Sequence, residues 1–577
     1  MRSSMRGAMA ALSLTIAVCA LALAARPDAR VPPQQPADLV ITNGKVVTVE
    51  DGAPEAQAVA AAGGKIVAVG STAEIQKYIG PKTEVIDVKG QLVLPGFIEG
   101  HGHYTGIGTA RLNLNLTTAK SWEDIVAMVA ERVKTAKPGE WILGRGWHQE
   151  KWNARPEPNV EGFPVHDALS KVSPNNPVLL THASGHASFA NAKAMELSGV
   201  TGKTPNPPGG DFLKDANGNP TGLFRETASR LIRAGAGENP TAEERNARAR
   251  RVLELASEEV VSKGITSFQD AGSSFGDVDL MKKMIDEGKI HNRLWIMIRQ
   301  PNNLLRENLA KYRMIDYGGG FLTVRAIKHS IDGALGSRGA WLLEPYSDQP
   351  GTTGLNTTPV ATIKETAKLA IEHGYQLCVH AIGDRANRET LDIFEEAFKA
   401  NPDKKDLRWR VEHAQHINAA DIPRFGTLGV IASMQGIHCT SDAPYVPARL
   451  GDTRAAEGAY VWQKLMKSGA LVTNGTDAPV EDVDPIASYY ATVSRKLKDG
   501  TVFYPAQRMS RVEALKSYTI NTARAAFEEN SKGTLKPGKY ADIVVLSKDI
   551  LTIPEDEIPT AKVVYTIVGA KVRYKRQ

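Results

Sequence analysis

A chain of 577 residues with 42% hydrophobic and 23% charged residues has ordinary globular usage, so a large core is available and general disorder is excluded. Its 70 basic and 64 acidic residues leave a formal net charge of +6 spread over a large surface, and no basic tract with interleaved aromatics points to nucleic acid. Three cysteines, Cys19, Cys378 and Cys439, exclude a disulfide framework.

At the N-terminus, Arg2 and Arg6 precede an apolar run from Ala8 to Ala25. Ala22-Leu-Ala24 has the small-x-small form of a cleavage site, and the charged, apolar, small-residue order is that of a secretory signal. Residues 1–25 are expected to be removed on export to the periplasm or the medium. The alternative is a membrane anchor, since about 18 apolar residues are just enough to span a bilayer. Residues 26–37 read as a Pro/Gln-rich linker.

Residues 38–93 alternate apolar and polar positions, and Asn43-Gly44 and Gly63-Gly64 mark hairpin-type turns, which predicts a small antiparallel β-sheet. Residues 531–577 repeat the style in Ile543-Val-Val-Leu546 and Val563-Val-Tyr-Thr-Ile-Val568. The two terminal segments are expected to pair into one flanking β-sandwich.

Between them, residues 94–530 alternate strands with helices. Apolar, β-rich runs centre near residues 95, 267, 296, 326, 378, 411, 432 and 473, the number that a (β/α)8 TIM-like barrel needs. Thr241-Ala-Glu-Glu244 is a capping box opening a helix that Lys263-Gly264 closes. The stretch 104–255 is too long for one connection between strand and helix. It is expected to be an insertion with its own structure, lying over the C-terminal face of the barrel.

Several of the strand runs end in groups that carry chemistry. His101 and His103 are two residues apart, so on a strand both rings point to one face and can reach one ion. Lys328, His380, His413 and Asp477 end four later runs, and a parallel barrel gathers such C-terminal groups at its active-site face. Imidazole and carboxylate ligands suit a divalent metal such as zinc. Asp477 is the candidate general base and acid, because a carboxylate beside the metal can take a proton from water and return it to a leaving group. His186 and His438 are candidate pocket groups, as is Arg338, which with Asp332 and Asp384 follows a ligand run. Trp147, in Gly144-Arg-Gly-Trp-His148, suits a loop tip presenting an apolar surface to substrate; the alternative is the insertion's own core.

The chain resembles the amidohydrolase superfamily, and within it the amidohydrolase-3 group of YtcJ-like metal-dependent hydrolases. The resemblance is carried in order by Leu94-Pro-Gly-Phe-Ile-Glu-Gly-His-Gly-His103, Gly185-His-Ala-Ser-Phe-Ala-Asn191, Lys328-His-Ser-Ile-Asp-Gly-Ala-Leu-Gly-Ser337, His380-Ala-Ile-Gly-Asp-Arg-Ala386, Arg410-Val-Glu-His-Ala-Gln415, Ser433-Met-Gln435, Gly475-Thr-Asp-Ala-Pro479 and Gly533-Thr-Leu-Lys-Pro-Gly-Lys-Tyr-Ala-Asp542. Two positions depart from the family pattern, Glu99 where Asp is usual and Gly436 where Pro is usual. The resemblance implies a barrel with a flanking β-sandwich and one or two divalent ions, usually zinc. His101 and His103 would hold the first ion and His380 and His413 the second; His416 competes with His413, which family position and strand phase favour. Lys328 falls where some superfamily members carbamylate a lysine to bridge two ions, an unmodified lysine being the alternative.

The expected activity is hydrolysis of a non-peptide carbon–nitrogen bond in an amide, N-formyl, N-acyl or carbamate compound. A one-metal deaminase and a non-catalytic scaffold are the alternatives. The expected partner is a small-molecule substrate, with no nucleic acid and no stable membrane insertion after signal cleavage; a homo-oligomer is left open.

Overall fold

The computed structural model describes residues 36–237 and 240–577. The expected signal segment lies outside the described residues. Eight parallel strands succeed one another in space as they do in sequence: β1 Phe97–Gly102, β2 Ile265–Ser273, β3 Arg293–Ile298, β4 Leu322–Ser330, β5 Gln376–Ala381, β6 Arg410–His413, β7 Ile431–Gln435 and β8 Val472–Gly475. They form a nearly closed (β/α)8 barrel, and each of the eight expected runs supplies one strand. The first starts later than the sequence suggested, because Leu92–Pro95 pairs in a different sheet and Gly96 separates the two. A Cβ at Gly96 would lie 2.2 Å from the Thr266 side chain, so the glycine lets β1 start hard against β2.

The seam between β8 and β1 closes through the ends of the strands. Asp477 N donates to His101 O at 2.8 Å, and His103 N donates to Ala478 O at 2.7 Å. Glycine makes this approach possible, since a Cβ at Gly100 would lie 2.3 Å from Asn474 O. Glu99, the first departure from the family pattern, accepts from Thr476 N at 2.5 Å and so straps β1 to β8. At the second departure, a Cβ on residue 436 would sit 2.0 Å from Thr492 Oγ1, so here glycine makes room for a threonine.

The helix Ala242–Ser262 starts on the expected capping box, with both reciprocal Thr241–Glu244 bonds formed. Its buried face, including Leu253, Ala256 and Val260, packs beside Tyr104–Leu112, where Gly108 leaves room for the Val252 carbonyl. The first of these helices in sequence and most of the second fall inside the 104–255 stretch, but they pack on each other and on β2. The insertion's own six-stranded sheet is therefore narrower, running from Leu114 to Glu226, with spatial order 210–214, 220–226, 187–190, 178–182, 142–147, 114–115. Separate apolar clusters stabilise it, one around Trp122, Trp147 and Phe189, the other around Trp141, Phe212 and Phe224.

Two sheets flank the barrel, and their N-terminal strands are not all antiparallel as expected, since Leu39–Thr42 pairs parallel with Glu84–Asp87. The terminal segments share the six-stranded one of the two, where Leu92–Pro95 pairs antiparallel with Ile543–Leu546. The period of two explains why these strands are apolar throughout. Val93, Ile543 and Val545 face the sandwich core, whereas Leu92, Leu94, Val544 and Leu546 face the barrel's outer layer.

Candidate active site

The C-terminal ends of the strands bring together His101 and His103 from β1, Lys328 from β4, His380 from β5, His413 from β6 and Asp477 after β8. The His101 and His413 rings are 4.6 Å apart and those of His380 and His413 4.4 Å. Asp477 Oδ1 lies 3.2 Å from His103 Nε2 and 3.5 Å from His101 Nε2, while Oδ2 lies 3.9 Å from His438 Nε2. Asp477 thus joins two compact donor groups, His101 with His103 and His413 with His438. His438, expected only as a pocket group, stands in the second donor group, and His380 lies beside it. His416 is remote, its ring edge-on to Tyr460.

These residues fit a divalent cation. His101 Nε2, His380 Nε2, His438 Nε2 and Asp477 Oδ1 are buried without hydrogen-bond partners. Each such atom costs about 1–3 kcal/mol if left unsatisfied, and one or two cations would satisfy them all. Burial, then Lys328, pushes His101 down to about 4, so the ring is neutral at physiological pH. Burial, then Arg299, pushes the Lys328 amine down to about 8, with Glu412 and Asp477 opposing.

Residues behind the ligands fix their orientation, and the sequence reading assigned them no role. Glu412 is fully buried and hydrogen-bonds His101 Nδ1. It is itself held by Arg410 Nε at 2.6 Å, and Arg410 also donates to Gly100 O and Ser433 Oγ, both at 2.7 Å. Burial alone would raise Glu412; Arg410 and His101 hold it well below the carboxylate range. Gln435 donates to Ser433 O, so its own oxygen accepts from His413 Nδ1 at 2.8 Å. In both cases the proton sits on Nδ1 and the Nε2 lone pair faces the mouth, the arrangement that a metal-binding imidazole requires. The signal was present in Arg410-Val-Glu412: two opposite charges on one face of a buried strand must pair.

Two candidate ligands stand on strained backbone. His413 has φ 75° and Asp477 φ 58°, left-handed values that cost non-glycine residues on the order of 1–3 kcal/mol. The turn at His413 ends β6 and swings its ring over the mouth while Glu412 stays inside the barrel.

The insertion covers this face. A cavity of about 510 Å³ is lined by His103, Lys328, His380, His413 and Asp477 from the barrel side, and by Arg145, Ser184, His186, Glu226 and Arg230 from the insertion. His186 donates from Nδ1 to Glu226 Oε2 at 2.7 Å, and its ring is 5.1 Å from that of His380. Burial works against the imidazolium, but the Glu226 charge and hydrogen bond push His186 above its usual range. Glu226, at φ 50°, wedges its carboxylate into the loop after β4, where a Cβ at Gly333 or Gly339 would lie 2.2 or 2.3 Å from Oε1. That contact accounts for both glycines. Asp332, in the same loop, accepts from Trp341 N, Ile382 N and Gly383 N at 2.8–3.0 Å and ties the ends of β4 and β5 together. His148 and His182, unassigned in the sequence, end two insertion strands and line a smaller adjoining cavity with His186 and His438.

Two expectations are corrected. Trp147 is not at a loop tip: it is fully buried at the end of a strand, donates Nε1 to Leu180 O at 2.9 Å and packs edge-on against Phe189 and His182. Glycine and polar neighbours misled the reading because Gly144 and Gly146 are there for close packing against Leu180 and Thr117. Arg338 does not face the site; it pairs with Asp348 at 2.9 Å. Among the described residues, Val480 is the only aliphatic side chain lining the 510 Å³ cavity, so the expected apolar lid is absent from this chamber. A larger cavity of about 1080 Å³ shares Arg145 and Val480 with it but touches none of the candidate ligands.

Comparison with known proteins agrees with this geometry. Among relatives, the chain is 34% identical over 551 residues to Protein LONG AFTER FAR-RED 3 of Arabidopsis thaliana, covering 93% of this chain and 92% of that one. It is 30% identical over 542 residues to the putative amidohydrolase YtcJ of Bacillus subtilis, covering 92% and 98%. It is 28% identical over 547 residues to an N-substituted formamide deformylase of Arthrobacter pascens, covering 93% and 98%. The solved structure of an uncharacterized metal-dependent hydrolase from Pyrococcus horikoshii OT3 superposes with a TM-score of 0.71 at 26% identity, covering 90% of this chain and 99% of that one. The model of the amidohydrolase family matches residues 84–574. The chain therefore belongs to the amidohydrolase family of metal-dependent hydrolases.

Proposed function

We propose that this enzyme hydrolyses a non-peptide carbon–nitrogen bond in an amide, N-formyl, N-acyl or carbamate compound. The observation that carries the reading is Asp477, shared between two histidine groups at the mouth of the barrel. Divalent cations held there, zinc being the metal we propose, would activate a water near neutral pH and polarise the carbonyl. The chain's own residues do the rest. Asp477 takes the proton of the attacking water on a carboxylate oxygen and delivers it to the departing nitrogen. Glu412 and Gln435 keep His101 and His413 in the tautomer that presents Nε2. Lys328 lines the same cavity with an amine lowered by burial, which supports our reading that it is carbamylated. The similarity to the N-substituted formamide deformylase of Arthrobacter pascens supports this class.

The test is an assay of the metal-replete enzyme against formamides, N-acyl amines, carbamates and deaminase substrates. Release of an amine together with an acid is expected. Ammonia released only from ring amino groups would replace the proposal with deamination.

We also propose export, on the N-terminal pattern alone. Protein from its native host should begin close to Ala25 or Arg26 on N-terminal sequencing. A cytoplasmic protein retaining Met1 would contradict it.

A further inference from the structure

The cavity that opens on the candidate ligands carries guanidinium charge that the protein does not neutralise. Arg299 follows β3, Arg230 lies on the short helix Thr227–Leu231 directly after Glu226, and Arg145 lies on the insertion strand Ile142–Trp147. None of the three pairs with a carboxylate among the described residues. Arg299 Nη2 reaches only the Ser330 hydroxyl, at 3.3 Å. Arg145 is held by carbonyl oxygens alone, Pro479 O at 3.2 Å and Ala183 O at 3.0 Å.

An arginine without an acid is not peculiar to this cavity, since the fully buried Arg495 is held by the Phe503 and Tyr460 carbonyls, but three other buried arginines do have one. Arg293 is paired with Asp542 at 2.6 Å, Arg410 with Glu412 at 2.6 Å and Arg449 with Glu150 at 2.9 Å. The acidic residues of the cavity do not serve its three arginines. Glu226 is bound to His186, Asp332 to three backbone N–H groups, and Asp477 faces the histidine groups. Arg299 and Arg230 are both exposed and both line the cavity; desolvation by its walls, then the nearby charge of Arg230, lowers the Arg299 pKa. Like charges placed together without a counter-ion, beside a chamber with one aliphatic wall residue, suit an anionic ligand better than an apolar one.

We propose that Arg299 and Arg230 form a carboxylate subsite, and that the substrate is a carboxylate-bearing amide or N-acyl compound whose scissile group reaches the histidine cluster. The guanidinium fork matches a carboxylate bidentately. The volume of about 510 Å³ suits a small metabolite held at both ends. The substrate class rests on the amide-hydrolysis reading; the subsite rests on the arginines alone.

The test therefore needs no turnover. Calorimetric titration of the metal-replete full-length enzyme would compare succinate, glutarate and adipate with monocarboxylates of the same chain length. One carboxylate of either class can meet the metals; only a dicarboxylate can also meet the arginines. The best dicarboxylate should bind roughly tenfold or more tightly than its monocarboxylate twin, the effect of one charge-assisted pair. That preference should vanish in the Arg299→Gln/Arg230→Gln double variant while monocarboxylate affinity and metal content stay unchanged. A wild-type enzyme that binds both classes equally, or neither, overturns the proposal, and so does a preference that survives the double substitution. A dicarboxylate preference without amide hydrolysis by the same protein would keep the subsite and sink the reaction class.

Discussion

The barrel and the insertion furnish one cavity by different means. The barrel places His101, His103, Lys328, His380, His413 and Asp477 by register: each stands at or just beyond a strand end, and the ladder of hydrogen bonds fixes their heights. The insertion places His186 by docking. Its sheet has its own apolar cores, and its hold on His186 runs through Glu226, wedged against Gly333 and Gly339. Damage to register should therefore change chemistry and metal binding, and damage to docking should change substrate recognition.

The largest effect is expected at Asp477. Asp477→Asn keeps the shape and one oxygen but cannot accept a proton, so kcat should fall roughly 10²- to 10⁴-fold while most of the metal content remains. Near-normal turnover would give the base role to another group. Next comes Glu412, which acts only through His101. Glu412→Gln should weaken metal affinity about 10- to 100-fold, measured by competition with a chelator, because the Nδ1 proton loses its charged acceptor. Unchanged affinity would show that β1 alone orients the ring. The smallest effect is expected from docking. Gly339→Ala puts a methyl against the Glu226 carboxylate and should raise KM several-fold, with metal content and kcat nearly unchanged. A loss of metal instead would mean that the insertion supports the ligands as well as the substrate.

The same contrast governs how much the sequence disclosed. All eight barrel strands were legible, because each is a short apolar run bounded by turn residues and several end in a polar group with no reason to be there but chemistry. The pairing of the two chain ends was legible from period-two patterning, in which Val93 and Val545 share one face. The insertion was not. Its strands are short and glycine-interrupted, and Trp147 reads the same whether it tips a loop or plugs a core, since only the tertiary neighbours Phe189 and Leu180 decide. Glu226 carries no local signal at all. Its partners are Gly333 and Gly339, more than a hundred residues on, and no periodicity connects them. His438 was under-read for a related reason, because it sits one helical turn after β7 rather than on a strand end.

Cations at the barrel mouth are the centre of the proposed chemistry. The most direct measurement is metal content per chain, by elemental analysis of the purified protein and of its Lys328→Ala variant. Two divalent ions per wild-type chain, falling to one or none in the variant, is the predicted result. One ion or none in the wild type, or full occupancy in the variant, would contradict it.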